Sequence, residues 1–246
     1  METETILLLA GLMFAAAVLY ASVGHGGASA YLGIMALAGV APEVMRPTAL
    51  TLNVIVAAIA SWRLIRAGWF SFPVLWPFLA VAAPMAFAGG MVHLPGDYYR
   101  PLVGIVLWFA AVCFLFPARV RSAAPDARPP LVPALVAGAG IGFLSGLTGV
   151  GGGIFLSPLL IALGWADPRK IAGVAAAFIL VNSLAALGGN LAAAARLPAE
   201  TPYLAAAVIA GALVGTALSL GGASRPMLLR LNAAVLAIAG AKLIFL

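Results

Sequence analysis

Charge is what this chain has least of. Its 246 residues carry 13 basic and 7 acidic side chains, 8% in all, and no such residue lies between Glu4 and Glu43. A soluble domain holds about a quarter charged residues, so a globular core of this size would lack the polar shell it needs. Alternating polarity is missing as well, which argues against a transmembrane barrel, whose strands face lipid and lumen by turns. No Lys or Arg precedes the first apolar run, and a secretory signal needs a basic start. Ile6–Tyr20 is therefore expected to be a retained membrane segment. Cysteine occurs once, as Cys113, too few for an internal disulfide and consistent with a small core residue.

The absences extend to chemistry. No His, Cys and carboxylate group has metal-ligand spacing, so neither a metal nor another cofactor is expected. His93 stands alone beside Pro95-Gly96-Asp97. The glycine-rich turns lack the Gly-Lys-Ser/Thr ending of a phosphate loop. Ser145 and His25 would have to pair across helices to make a hydrolase, and no motif supports that. The net charge of +6 comes from scattered residues at segment ends, which suits anionic lipid head groups rather than nucleic acid.

What is present is hydrocarbon, 64% of the residues, divided into ten runs. Five fall near 5–22, 28–40, 47–66, 73–92 and 100–117. Five more fall near 131–147, 154–165, 170–193, 201–221 and 226–245. A shift of 126 residues carries Ser22 to Thr148, Gly26 to Gly152, Gly27 to Gly153, Pro42 to Pro168 and Gly89 to Gly215. The chain thus reads as an N-terminal repeat over 1–117, a linker over 118–130 and a C-terminal repeat over 131–246. An odd number of segments per copy makes the second copy enter from the other face, an inverted repeat of the kind that secondary transporters use. Nine basic residues, among them Arg63, Arg66, Arg128 and Arg169, fall on one set of loops. Arg46, Arg100, Arg196 and Lys242 fall on the other. The positive-inside rule puts the nine in the cytoplasm and both termini outside.

Segments 28–40 and 154–165 are too short to cross about 30 Å of hydrocarbon at 1.5 Å per residue. Each follows an uncharged glycine turn. The expected fold is an all-α polytopic membrane protein with 8–10 membrane segments, including a short broken or re-entrant hairpin in each half.

Those turns, Gly24, His25, Gly26 and Gly27 in one copy and Gly149, Gly151, Gly152 and Gly153 in the other, are the candidate substrate site. Glycine lets bare N–H groups approach a ligand, and a helix N-terminus adds positive potential. Two such turns arriving from opposite faces would bind an anion without a buried Lys or Arg. The competing account is that the glycines serve close helix packing. His25 is the one ionisable side chain in the turns, suited to an anion, a proton or a structural hydrogen bond. Thr51 and Asn53, with Asn182 and Ser183, supply neutral polar groups on the third segment of each copy. They would serve as anion donors or as interhelical bonds. Arg46 and the Asp167, Arg169 and Lys170 group would sit at the two mouths.

The stretch Tyr20-Ala-Ser-Val-Gly-His-Gly-Gly27, followed by Pro47-Thr-Ala-Leu-Thr-Leu-Asn53, resembles the first half of the TauE/SafE family of sulfite exporters. Ser145-Gly-Leu-Thr-Gly-Val-Gly-Gly-Gly153 with Ala172-Gly-Val-Ala-Ala-Ala-Phe-Ile-Leu-Val-Asn-Ser183 resembles the second. The likeness covers nearly the whole chain. It implies a bacterial inner-membrane carrier that exports sulfite, a related organosulfonate or another small anion by alternating access. Relatives often have Ser or Thr where this chain has Val174-Ala175-Ala176. The alternative reading is a permease subunit of an ATP-driven assembly. The partners implied are the small anion and the bilayer; a homo-oligomer is compatible with the sequence and not specified by it.

Overall fold

The computed structural model describes residues 3–115, 128–191, 197–221 and 225–245. These form ten helices and, among the described residues, no strand. In order they are α1 (Thr3–Ser22), α2 (Ala28–Leu37), α3 (Pro42–Arg66), α4 (Phe72–Met91), α5 (Gly96–Leu115), α6 (Leu131–Thr148), α7 (Gly153–Leu163), α8 (Pro168–Gly189), α9 (Thr201–Leu220) and α10 (Arg225–Phe245). Six of them, α1, α3, α4, α6, α8 and α9, are long and apolar enough to cross a membrane. α5 and α10 run for 20 and 21 residues. α2 and α7 have only 10 and 11, far short of a span. The protein is an all-helical, multi-pass membrane protein. Most of the linker, including Arg119 and Arg121, and also Arg196, lie outside the described residues.

Helix starts follow simple chemistry. α3, α4, α8 and α9 each have Pro in the first turn, where its missing N–H costs nothing and its fixed φ suits the helix. The Asp167 carboxylate caps α8 by accepting from the Arg169 N–H at 2.8 Å. Pro47 is the informative exception. It looks like a helix start, but Pro42 takes that position and Pro47 lies inside α3. Arg46, expected at a mouth, therefore sits in the second turn of a buried helix.

Packing follows small residues. Gly138, Gly142 and Gly146 form one stripe on α6, and a Cβ on any of them would meet the α4 backbone at Phe78, Ala82 or Ala86. Lipid tails are as apolar as Leu, so close backbone approach is what draws helices together in a bilayer. Gly211 and Gly215 of α9 press in the same way on Phe14 and Val18 of α1. The 126-residue shift turns α1 into α6 and α4 into α9, so these two interfaces exchange when the halves exchange. α3 packs on α8, and α5 on α10, across the same relation. One apolar core accordingly unites α1, α2, α3 and α5 with α9 and α10, while the other unites α4 with α6, α7 and α8. The fourth helix of each copy lies with the other copy. Leu7, Trp62, Phe72, Val132 and Val136 are exposed on the outer faces, as the lipid-facing side of such a bundle requires.

Candidate functional site

The two glycine turns meet inside the bundle. Gly26 and Gly151 both lie against Asn53 of α3 and Ile179 of α8. The His25 Nε2 is 3.2 Å from the Gly153 carbonyl oxygen, across the halves. Every residue from Gly24 to Gly27 and from Gly149 to Ile154 is buried. Gly24, Gly27, Gly149, Gly151 and Gly152 all have φ between +80° and +98°. Other residues would be strained in that conformation, and a Cβ at Gly151 would also collide with the Asn53 amide. These glycines therefore have a backbone reason of their own, apart from helix contact.

Below the shared geometry, the turns differ. The first is closed at one amide, while its Gly26 and Gly27 N–H groups meet no acceptor among the described residues, as in the second turn. The Ala28 N–H, at the start of α2, donates to Asn53 Oδ1 at 3.1 Å. Asn53 Nδ2 donates to Ser183 Oγ at 2.8 Å, tying α3 to α8. Tyr31 Oη donates to the Gly26 carbonyl at 3.1 Å, and Ser29 Oγ to Tyr20 Oη at 2.9 Å. The His25 Nδ1 lies 3.3 Å from the Val23 carbonyl, and Tyr20 meets the ring edge-on. Both ring nitrogens thus face carbonyl oxygens, and only a doubly protonated ring could donate to both.

The second turn is bare. Among the described residues, no acceptor meets the N–H groups of Gly151, Gly152, Gly153 and Ile154. No side chain caps α7. Beside this turn stands Asn182, 0% exposed, whose Oδ1 and Nδ2 both lack a hydrogen-bond partner. Its Nδ2 lies 3.2 Å from where a Gly152 Cβ would be. Buried polar groups are nearly always paired, because an orphan costs about 1–3 kcal/mol. Four successive backbone amides and the Asn182 Nδ2, all idle donors, form a cradle for something negative that accepts from several sides.

The remaining sequence candidates are placed as follows. Thr51 donates its hydroxyl back to the Pro47 carbonyl of its own helix at 2.9 Å, and it joins neither turn. Ser183 is in the cluster as the acceptor of Asn53. Ser145 is buried with no partner for its hydroxyl, so it makes no hydrogen bond to His25. Lys242 donates to the Leu37 carbonyl at 2.7 Å, closing the C-terminus of α2.

Arg46 corrects the expectation that no basic group lies within a segment. It is 5% exposed and donates to the carbonyls of Val92, Gly89 and Gly90, each at 2.8 Å, and of Gly146 at 2.6 Å. These acceptors are the final carbonyls of α4 and one near the end of α6, where the helix dipoles are negative. Its stem passes within 3.0 Å of the Gly149 Cβ position, so the guanidinium anchors the approach to the bare turn. Tyr31, Tyr99 and Ile179 were also beyond sequence reasoning. Tyr99 donates to the Thr148 carbonyl at 2.8 Å just ahead of that turn. The spacing of Tyr31 four residues after Gly27 was the one available hint.

Comparison with known proteins agrees with this architecture. The family model for the sulfite exporter TauE/SafE matches residues 8–243. A curated protein of Sinorhizobium fredii (strain NBRC 101917 / NGR234), named probable membrane transporter protein y4hK, is 38% identical over 248 residues, with both chains covered in full. No solved structure matches the chain.

Proposed function

We propose, from the premise that this chain belongs to the TauE/SafE family of membrane transporters, that it is a secondary carrier for a small anion, sulfite or a related organosulfonate. The observation that carries the reading is the bare turn: idle amides from Gly151 to Ile154 beside the unpartnered Asn182. Amides replace the water around the anion, and the start of α7 adds its dipole. Asn182 contributes its Nδ2–H. Asn53, Ser183 and Tyr31 hold the facing turn in place, and His25 joins the two turns at Gly153.

Transport follows by alternating access, with the two apolar cores, each holding the fourth helix of the other copy, rocking about the joined turns. Export is the favoured direction for an uncoupled anion. An inside-negative potential drives it outward with about 2.3 kcal/mol per charge per 100 mV. The setting is the bacterial inner membrane, with the charge-rich loops inside and both termini outside. The family fits a carrier rather than an enzyme.

Radiolabelled sulfite counterflow into liposomes holding the purified protein tests the proposal, with thiosulfate, sulfoacetate and sulfate as competitors. Exchange of sulfite without ATP is the expected result. Absence of exchange for every small anion would overturn it.

A further inference from the structure

A cleft of about 490 Å³ opens between α5, α6 and α7, lined among others by Phe109, Cys113, Ala137, Ile141, Phe155 and Leu159. Its walls are almost entirely apolar. It adjoins the second turn, since Phe155 in its wall follows Ile154 in the chain. Ile141 borders both, since its Cγ2 lies 3.1 Å from the Gly152 Cβ position. Phe155, in the first turn of α7, stacks on Phe109 of α5 with ring centroids 5.6 Å apart. Further along, Pro158, Leu159 and Ala162 continue the same face of α7, at the spacing that puts side chains one above another on a helix. At the half-exchanged position α2 packs along α10.

Resting on the anion reading above, we infer that this cleft takes the apolar tail of the substrate. The ligand class then extends to sulfonates bearing a short alkyl chain, with the head on the Gly151–Ile154 amides and the tail along α7. The two parts are complementary. The head site offers backbone N–H groups and the Asn182 amide, with Phe178, Ile141 and Asn182 packed within 3.2 Å of the Gly152 Cβ position. The neighbouring cleft is lined by hydrocarbon. A methylene occupies about as much room as a water, on the order of 30 Å³, so a hexyl chain fits easily.

Chemistry supplies a direct probe, because the sole cysteine of the chain is half-buried in the wall of this cleft. The wild-type protein in liposomes is labelled with a maleimide in the presence of sulfite, of methane-, butane- or hexanesulfonate, or of hexan-1-ol, and the same sulfonates compete for sulfite counterflow. Hexanesulfonate should slow labelling of Cys113, while sulfite and hexan-1-ol leave the rate unchanged. Competition should strengthen with chain length, by up to about fourfold per methylene, the ratio that corresponds to about 0.8 kcal/mol per buried CH₂. Ala162→Phe, which fills the far end of the cleft, should flatten that series and preserve sulfite exchange. A flat series in the wild type, or equal protection by hexan-1-ol, overturns the tail subsite alone if sulfite still exchanges. Loss of sulfite exchange overturns the head site with it.

Discussion

The same substitution, made at the two asparagines, should have opposite effects on stability. Asn53 is fully paired through Ala28 N–H and Ser183 Oγ. Asn182 is equally buried, with neither side-chain polar atom satisfied. Replacing Asn53 by Leu strands the α2 amide and the Ser183 hydroxyl, at about 1–3 kcal/mol for a buried group left without a partner. Replacing Asn182 by Leu, of similar size, removes an orphan and should gain an amount of the same order. For a chain of this length roughly 2–4 °C accompanies each kcal/mol. Thermal melts of anion-free protein in nanodiscs should therefore fall several degrees for Asn53→Leu and rise by several for Asn182→Leu. Sulfite binding should weaken in the stabilised variant, because a hydrogen bond to a charged group contributes about 1.5–3 kcal/mol, or about 10- to 100-fold in affinity. The reasoning is refuted if Asn182→Leu melts lower and still binds sulfite normally, since its carboxamide would then be a packing group and not a donor held in reserve.

Other changes have equally definite outcomes. Gly152→Val puts a β-branched residue at φ +80° against Phe178 and Asn182; counterflow should vanish while gel filtration still shows a folded species, and misfolding would support a packing role. Ser145→Ala removes an unpartnered hydroxyl and should leave counterflow within twofold of wild type, whereas an intramembrane hydrolase would lose its activity. Arg46→Ala leaves four helix-end carbonyls without their donor; folded yield in detergent should collapse, with partial recovery in Arg46→Lys, whose single ammonium reaches fewer of them.

How much of this could be read from the chain depended on whether a residue's neighbours were close in sequence. The glycine turns and the short helices after them were legible because each is a local break in an apolar run. Asn53 and Asn182 were legible as polar residues in hydrocarbon, but their inequality was not. Whether an amide finds Ala28 and Ser183 or finds nothing depends on how helices from different copies cross. Arg46 was misplaced for a local reason, because Pro47 imitates a helix start while Pro42 supplies the actual one. Its acceptors, at Gly89, Gly90, Val92 and Gly146, are distant in the chain and consist of backbone, which leaves no compositional trace. The cleft beside α7 was equally invisible, since apolar residues at helical spacing predict a buried face and a groove alike.

The inequality of the turns bears on how a two-copy carrier could work. Were both turns bare, two anions would compete for one space, and their charges would repel at close range in a medium of low dielectric. Were both capped, nothing would call an anion in. The turns differ at one amide: Asn53 caps the Ala28 N–H, while the equivalent Ile154 N–H meets no acceptor among the described residues. By holding the Ala28 amide and Ser183 together, Asn53 places its own side chain against Gly151. The second asparagine is one helical turn out of register with the first, at Asn182 rather than at the equivalent Ile179. That slip leaves the Ile154 amide without the cap that Ala28 has, and Asn182 without a partner. Moving the carboxamide back, in Ile179→Asn with Asn182→Leu, should let the second turn cap itself. Melting should rise, and sulfite counterflow should fall to the protein-free rate. Counterflow near the wild-type level in that double variant would show that the register of the asparagine does not decide where the anion sits.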